Sequence, residues 1–117
     1  MKSGTTYKQG EVVVVPFPYS DLTSVKRRPV LIVSNDTYNV RSDDVVTCGI
    51  TSNPKSMPHS VLLTNDFLVE GEIPMKSQIK ADKLFTISKS RISKKVALAS
   101  DSVLGKVKKE LWELFSL

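Results

Sequence analysis

Cysteine and histidine are almost absent from this sequence: Cys48 and His59 are the only ones in 117 residues. A lone thiol excludes an internal disulfide and a thiolate cluster, and Cys48 reads as a small buried hydrophobe. One histidine, one cysteine and scattered carboxylates do not make a spaced ligand set, so neither a metal nor another cofactor is expected. The five glycines are dispersed and form no phosphate-cradling loop. No Gly-x-Ser-x-Gly elbow accompanies His59, which argues against a serine hydrolase, and the imidazole is kept as a reserve candidate for proton transfer. No apolar run approaches the length of a membrane span, and Met1–Thr6 lacks the apolar core of a signal peptide. The expectation is a soluble protein of the reducing cytoplasm with no membrane partner.

What is present is charge of one sign in one place. The chain carries 17 Lys and Arg against 12 Asp and Glu, a net charge of +5. Residues 76–95 hold Lys76, Lys80, Lys83, Lys89, Arg91, Lys94 and Lys95 against one acid, Asp82. That window accounts for the whole excess, and a local positive stripe points to a polyanionic partner; the plainer alternative is a lysine-rich solvated face. The length suits one domain with one core. Residues 1–9 read as a polar, flexible arm and residues 10–117 as the domain.

Strand patterns dominate that domain. Gly10 turns into Glu11–Val15, a strand stopped by Pro16, and a loop of about ten residues follows. Val30–Val33 is a second strand, buried on both faces, with Pro29 at its first position, where a missing N–H costs no ladder bond. Asn35–Asn39 reads as a turn or one helical turn. The third strand, Val45–Thr51, places Val46, Cys48 and Ile50 on its core face and Thr51 away from the core. After a turn-rich linker over Ser52–Pro58 come strands at His59–Thr64, Met75–Ala81 and Leu84–Ser88 and an irregular one within Ile92–Ala99, with Asn65–Pro74 as a polar loop. Only Asp101–Phe115 shows helical period, capped by Ser100 or Asp101, with Gly105 suited to close packing on the sheet and Trp112 at the edge of that contact or at a subunit interface. The fold class is mostly β, an α+β chain: a small curled sheet or barrel of about six or seven strands closed by a C-terminal helix.

Within this frame, Lys26-Arg27-Arg28-Pro29 sets three cations against an apolar strand. Proline biases Arg28 toward extended geometry, so its guanidinium is held on a strand and not on a mobile loop. The stretch also fits a solvated charge run, but a fixed cation at a sheet edge suits an anionic ligand. RNA permits chemistry without a metal, because the ribose 2′-OH can attack the adjacent phosphate when the strand is held in line. The protein then supplies proton transfer and positive charge for the pentacoordinate transition state. Arg28 and a hydroxyl at a neighbouring strand end, Thr51, are the candidates. With a pKa above about 12, arginine is a poor general base, so its part is stabilisation of the phosphorane and donation to the leaving oxygen.

The chain resembles the MazF/PemK toxins of type II toxin–antitoxin pairs. The likeness rests on Gly10-Glu11-Val12-Val13-Val14, Arg27-Arg28-Pro29-Val30-Leu31-Ile32-Val33-Ser34-Asn35-Asp36, Gly49-Ile50-Thr51-Ser52, Ser77-Gln78-Ile79-Lys80 and Ser90-Arg91-Ile92. It runs from Gly10 to the C-terminal helix. The resemblance implies an SH3-like barrel, a homodimer, and metal-independent endoribonuclease cleavage of single-stranded mRNA to a 2′,3′-cyclic phosphate and a 5′-OH. It implies as partner a cognate antitoxin protein whose tail occupies the RNA groove. The family's catalytic arginine and threonine fall on Arg28 and Thr51, and Lys26, Arg27, Ser52, Gln78 and Lys80 fall where RNA would be held. One departure stands out: the loop that commonly carries Gly-Ser-Glu-Gln in the family here reads Pro18-Tyr19-Ser20-Asp21-Leu22-Thr23-Ser24-Val25. The competing expectation is a non-catalytic module on the same barrel, a CcdB-like topoisomerase inhibitor or a nucleic-acid-binding regulator, since fold alone does not separate these.

Overall fold

The computed structural model of the chain describes residues 5–18 and 25–116, so the departing loop lies largely outside the described residues. Seven strands form one antiparallel sheet: β1 (Glu11–Pro18), β2 (Val25–Ile32), β3 (Asp44–Thr51), β4 (Ser60–Leu63), β5 (Leu68–Gly71), β6 (Ser77–Ser88) and β7 (Lys94–Ala99). Their spatial order is β4-β6-β3-β2-β1-β7-β5. A short helix α1 (Asp36–Arg41) joins β2 to β3, and α2 (Asp101–Phe115) ends the chain.

The valine run of β1 shows why the sheet curls. Val12 belongs to one buried cluster, with Leu31, Cys48, Ile50 and Ile79, which α2 covers through Val103, Leu104 and Val107. Its neighbours Val13 and Val15 point the other way, into a second cluster with Val30, Ile32 and Val45. Phe85 and Ile87 of β6 pack on that second cluster, although β3 and β2 separate β6 from β1 in the sheet. The sheet therefore bends over its own concave face. Both sides of the central strands are dry, as their consecutive β-branched residues require. Gly10 enters β1 at φ +95°, and a Cβ there would lie 2.9 Å from the side chain of Leu104.

Several boundaries differ from the sequence reading. Pro29 lies inside β2, opposite Val14, and is not the strand's first residue. The proline is tolerated because β2 pairs with β3 only from Val30 onward, so on that side the ladder has already ended. Likewise Pro16 does not stop β1, which runs to Pro18. The segments expected as two strands, Met75–Ala81 and Leu84–Ser88, are one bent strand, β6. Asn65–Pro74 contains a 3-10 turn and the edge strand β5. Period 2 holds in β3, but both faces are buried: Cys48 and Ile50 lie on the expected core face, and Val45 and Thr47, read as pointing away from it, are buried on the concave side.

The arm expected to be flexible is tied down at its end. Gln9 N–H donates to Asp36 at 2.8 Å, its side-chain amide to the Val33 carbonyl at 2.6 Å, and Tyr7 packs on the second cluster. Helix α2 has the expected bounds, with Ser100 as N-cap accepting from Val103 N–H. Gly105, however, is exposed, and a Cβ there would meet nothing within 4 Å, so close packing is not its reason. Trp112 is 61% exposed.

Candidate active site

The site begins where β2 and β3 part. Their ladder ends at the pair Val30 and Gly49. Continued two residues past that pair, the same register aligns Arg28 with Thr51 on one face, at the fork where the two strands no longer pair. On its other side Arg28 stays paired with Val15 of β1, so the guanidinium is carried by ordered strand. Alternation along β2 puts Arg28 on the concave side with Val30, and Lys26 shares that side. Arg27 takes the opposite side, and its guanidinium donates to Ser93 Oγ at 2.6 Å. Of the three cations, Arg27 is thus the one that alternation turns away from the Thr51 side.

Thr51 is paired with Gln78 of β6, and Gly49 with Lys80, so Gln78 and Lys80 line the same concave side. The hydroxyl oxygen of Thr51 accepts the Asn53 N–H at 3.1 Å. A hydroxyl has two lone pairs and one proton, so this bond fixes the oxygen while leaving its O–H to donate into the fork. Gln78 has a role not expected of it: its amide nitrogen donates to the carbonyls of Asn53 at 2.9 Å and Lys55 at 2.7 Å. It fastens the segment after Thr51 to β6. Lys80 holds the far end of that segment, its ammonium 3.3 Å from Met57 Sδ and 3.7 Å from Asp82 Oδ1.

Two hollows flank this clamped segment. One, of about 320 Å³, includes Ser52, Asn53, Met57, Leu62, Lys76 and Gln78. The other, of about 530 Å³, has Gly49 and Thr51 at its base, with Asn53, Lys80, Lys83 and Phe85 among its walls. Either is wide enough for one nucleotide unit. The positive stripe is divided by the fold: Lys76, Lys80 and Lys83 reach these hollows, while Lys94 and Lys95 lie on β7 against β1. Lys95 is further engaged by Glu11 at 3.2 Å and by the Tyr7 ring.

His59, the reserve candidate, and Cys48, expected to be a buried hydrophobe, are placed elsewhere. His59 Nδ1 is 3.1 Å from Glu110 Oε1 of α2, and its backbone carbonyl accepts Ala81 N–H, so it ties β4 to the helix and to β6. It does so at φ +56°, a conformation that costs a side-chain-bearing residue roughly 1–2 kcal/mol. Cys48 is fully buried, and burial first, with the Asp82 carboxylate second, pushes its thiol up from 9.0 to about 12. A thiol so placed is inert as a nucleophile at neutral pH.

Known proteins share this architecture. The chain is 29% identical over 103 residues to endoribonuclease MazF2 of Mycobacterium bovis and to endoribonuclease MazF6 of Mycobacterium tuberculosis, covering 86% of this chain and 88% of each relative. Among solved structures, a MazE–MazF complex from Deinococcus radiodurans superposes with a TM-score of 0.80 at 26% identity, covering 97% of this chain and 99% of that one. An endoribonuclease of a mycobacterial species, solved with its cognate antitoxin, shares the fold with a TM-score of 0.75 at 22% identity, over 95% of this chain and 96% of that one. Among the described residues no helix is long and apolar enough to cross a membrane. The family profile that matches residues 8–115 is that of the PemK-like, MazF-like toxins of type II toxin–antitoxin systems, and the chain belongs to this family.

Proposed function

We propose that this chain is an endoribonuclease toxin that cleaves single-stranded mRNA at the fork between β2 and β3, with Arg28 and Thr51 as its catalytic residues. The observation that carries the reading is their register: each stands two residues beyond the last β2–β3 pair, on the same face. A phosphate seated in the fork has the guanidinium on one side and the Thr51 hydroxyl on the other. The 2′-OH gives its proton to solvent water and its oxygen forms a bond to phosphorus as the bond to O5′ breaks, with O5′ taking a proton donated by Arg28 and replaced from water, leaving a 2′,3′-cyclic phosphate and a 5′-OH. Arg28 offsets the charge gathering on the phosphorane oxygens, Thr51 donates to one of them, and the strand-borne geometry keeps the attack in line. Lys26, Ser52 and Lys80 hold the RNA, and Gln78 serves by holding the segment that carries Ser52 and Asn53.

The nucleophile belongs to the substrate, so the reaction asks for no metal and no cofactor. Acting on mRNA places the protein in the cytoplasm. A homodimer and a cognate antitoxin complete the reading, the latter supported by the family match and by a structural relative solved with its cognate antitoxin. The test is incubation of the purified protein in EDTA with a long mixed-sequence RNA, beside an Arg28→Ala variant, with both fragment ends mapped. Fragments ending in 2′,3′-cyclic phosphate that disappear in the variant are expected. Intact RNA from the folded wild type, freed of antitoxin, would overturn the assignment.

A further inference from the structure

The larger hollow beside Thr51 owes its shape to an irregularity in β6. Cys48 of β3 pairs with Leu84 and the next residue, Gly49, pairs with Lys80. Ala81, Asp82 and Lys83 therefore have no ladder partners on β3. Ala81 N–H donates instead to the His59 carbonyl at 2.9 Å, which pins the bulge to the start of β4. Bulges beside active sites commonly re-aim a side chain, and this one turns Asp82 and Lys83 into the hollow above Gly49.

Asp82 is out of keeping with its surroundings. It is the only acid between residues 76 and 95, a stretch with seven cations. Among the described residues it is also the only acidic side chain lining either hollow. A carboxylate there repels the phosphates that the rest of the surface attracts. Its ion pair with Lys80, at 3.7 Å and with Asp82 more than a third exposed, contributes little to stability. A repulsive group kept inside an attractive surface is a discriminating device: it is tolerated only by a ligand that offers it hydrogen-bond donors.

Resting on the endoribonuclease reading, we infer that Asp82 is a specificity-determining residue that reads the base next to the scissile phosphate, selecting bases with amino donors and rejecting uracil. Single-stranded RNA leaves the Watson–Crick edge open to the protein. Guanine offers N1–H and N2–H side by side, a bidentate match to a carboxylate, while adenine and cytosine each offer one amino group. Uracil offers only N3–H between two carbonyl oxygens that face the carboxylate with like partial charge. The hollow suits such a base in size, with Phe85 as an aromatic wall and Lys80 and Lys83 placed for its phosphates. The expected order is guanine first and uracil last.

The experiment is cleavage of a single-stranded RNA library randomised around the cut, by wild type, Asp82→Asn and Asp82→Ser, with the bases on both sides of the cut counted. In the wild type one flanking position should favour guanine over uracil by at least about tenfold. In Asp82→Asn, whose amide both donates and accepts, that ratio should fall toward one. Asp82→Ser provides the same reading should the amide variant fold poorly, and a thermal melt of each reports folding. A merely structural Asp82 would lower the overall rate without changing the base pattern. Uracil accepted equally at both positions by the wild type, or a pattern unchanged in both variants, overturns the inference while leaving the nuclease intact. RNA left uncut by the wild type overturns both.

Discussion

Replacing Gln78 by leucine separates two roles that are easily confused in a groove-lining amide. In the structure its nitrogen donates twice, to the Asn53 and Lys55 carbonyls, and both bonds belong to the segment that fixes the Thr51 hydroxyl through Asn53 N–H. Each such bond contributes about 1 kcal/mol net, so Gln78→Leu removes about 2 kcal/mol of preference for the clamped segment. That alters the ratio of clamped to released forms by up to about 30-fold, since 1.4 kcal/mol is a factor of ten. If Thr51 acts only from the clamped form, single-turnover cleavage falls by up to that factor while RNA affinity changes little. Gln78→Glu is expected to be worse, because a carboxylate would face two carbonyl oxygens. The assay is a kcat and KM comparison together with amide exchange at Asn53 and Lys55, which should quicken in both variants. A raised KM at unchanged kcat, with exchange unaltered, would show that Gln78 touches RNA directly and would refute the clamp.

Three further perturbations test other parts of the structure. Gly71 stands at φ +75°, and an added Cβ would lie 2.1 Å from the Val96 carbonyl oxygen, so Gly71→Ala should cost roughly 2–4 kcal/mol and lower the melting temperature by about 10 °C; a melt unchanged within two or so degrees contradicts the β5–β7 register. The Cys48 thiol, raised from 9.0 to about 12 in the folded chain, stays protonated where an unfolded thiol has ionised. Its contribution is complete below pH 9 and is lost as pH rises from there, reaching ~2 kcal/mol at pH 10.5 by linkage, so denaturant unfolding of Cys48→Ala should show a shallower alkaline decline than the wild type. Lys83 projects beside the larger hollow; if it meets a phosphate, Lys83→Ala should reduce the slope of log affinity against log salt by about 0.7, and an unchanged slope would place it in solvent.

The parts of the fold that follow local rules were legible, and those set by a distant strand were not. Helix α2 announces itself through period and cap within its own fifteen residues. Strand β5 has four residues, mostly exposed, at a sheet edge, so it carries no alternation to read. The break of alternation at Asp82-Lys83 looks like the gap between two strands, yet β3 holds the residues on either side of it and makes one strand of them. Pro29 is the clearest case. Proline at a strand's start and proline at the edge of a parting ladder are the same chemistry, a missing N–H where none is needed, and only the position of β3 tells them apart.

The same distinction governs the site. Arg28 and Thr51, the residues proposed as catalytic, were candidates from residue type and neighbours, but whether they share a face depends on register, which no local pattern encodes. Arg27 shows the limit: it adjoins Arg28 in sequence, yet period 2 turns it to the opposite side, toward Ser93. Gln78 shows another, because an amide two residues from a lysine on a cationic strand reads as a ligand contact until its donors are found on the Asn53 and Lys55 carbonyls. Asp82 was visible as the single acid in a basic stretch, but a lone acid carries no meaning in sequence. It acquires one only when the bulge sets it beside Thr51, where repulsion of phosphate must be offset by whichever base comes to meet it.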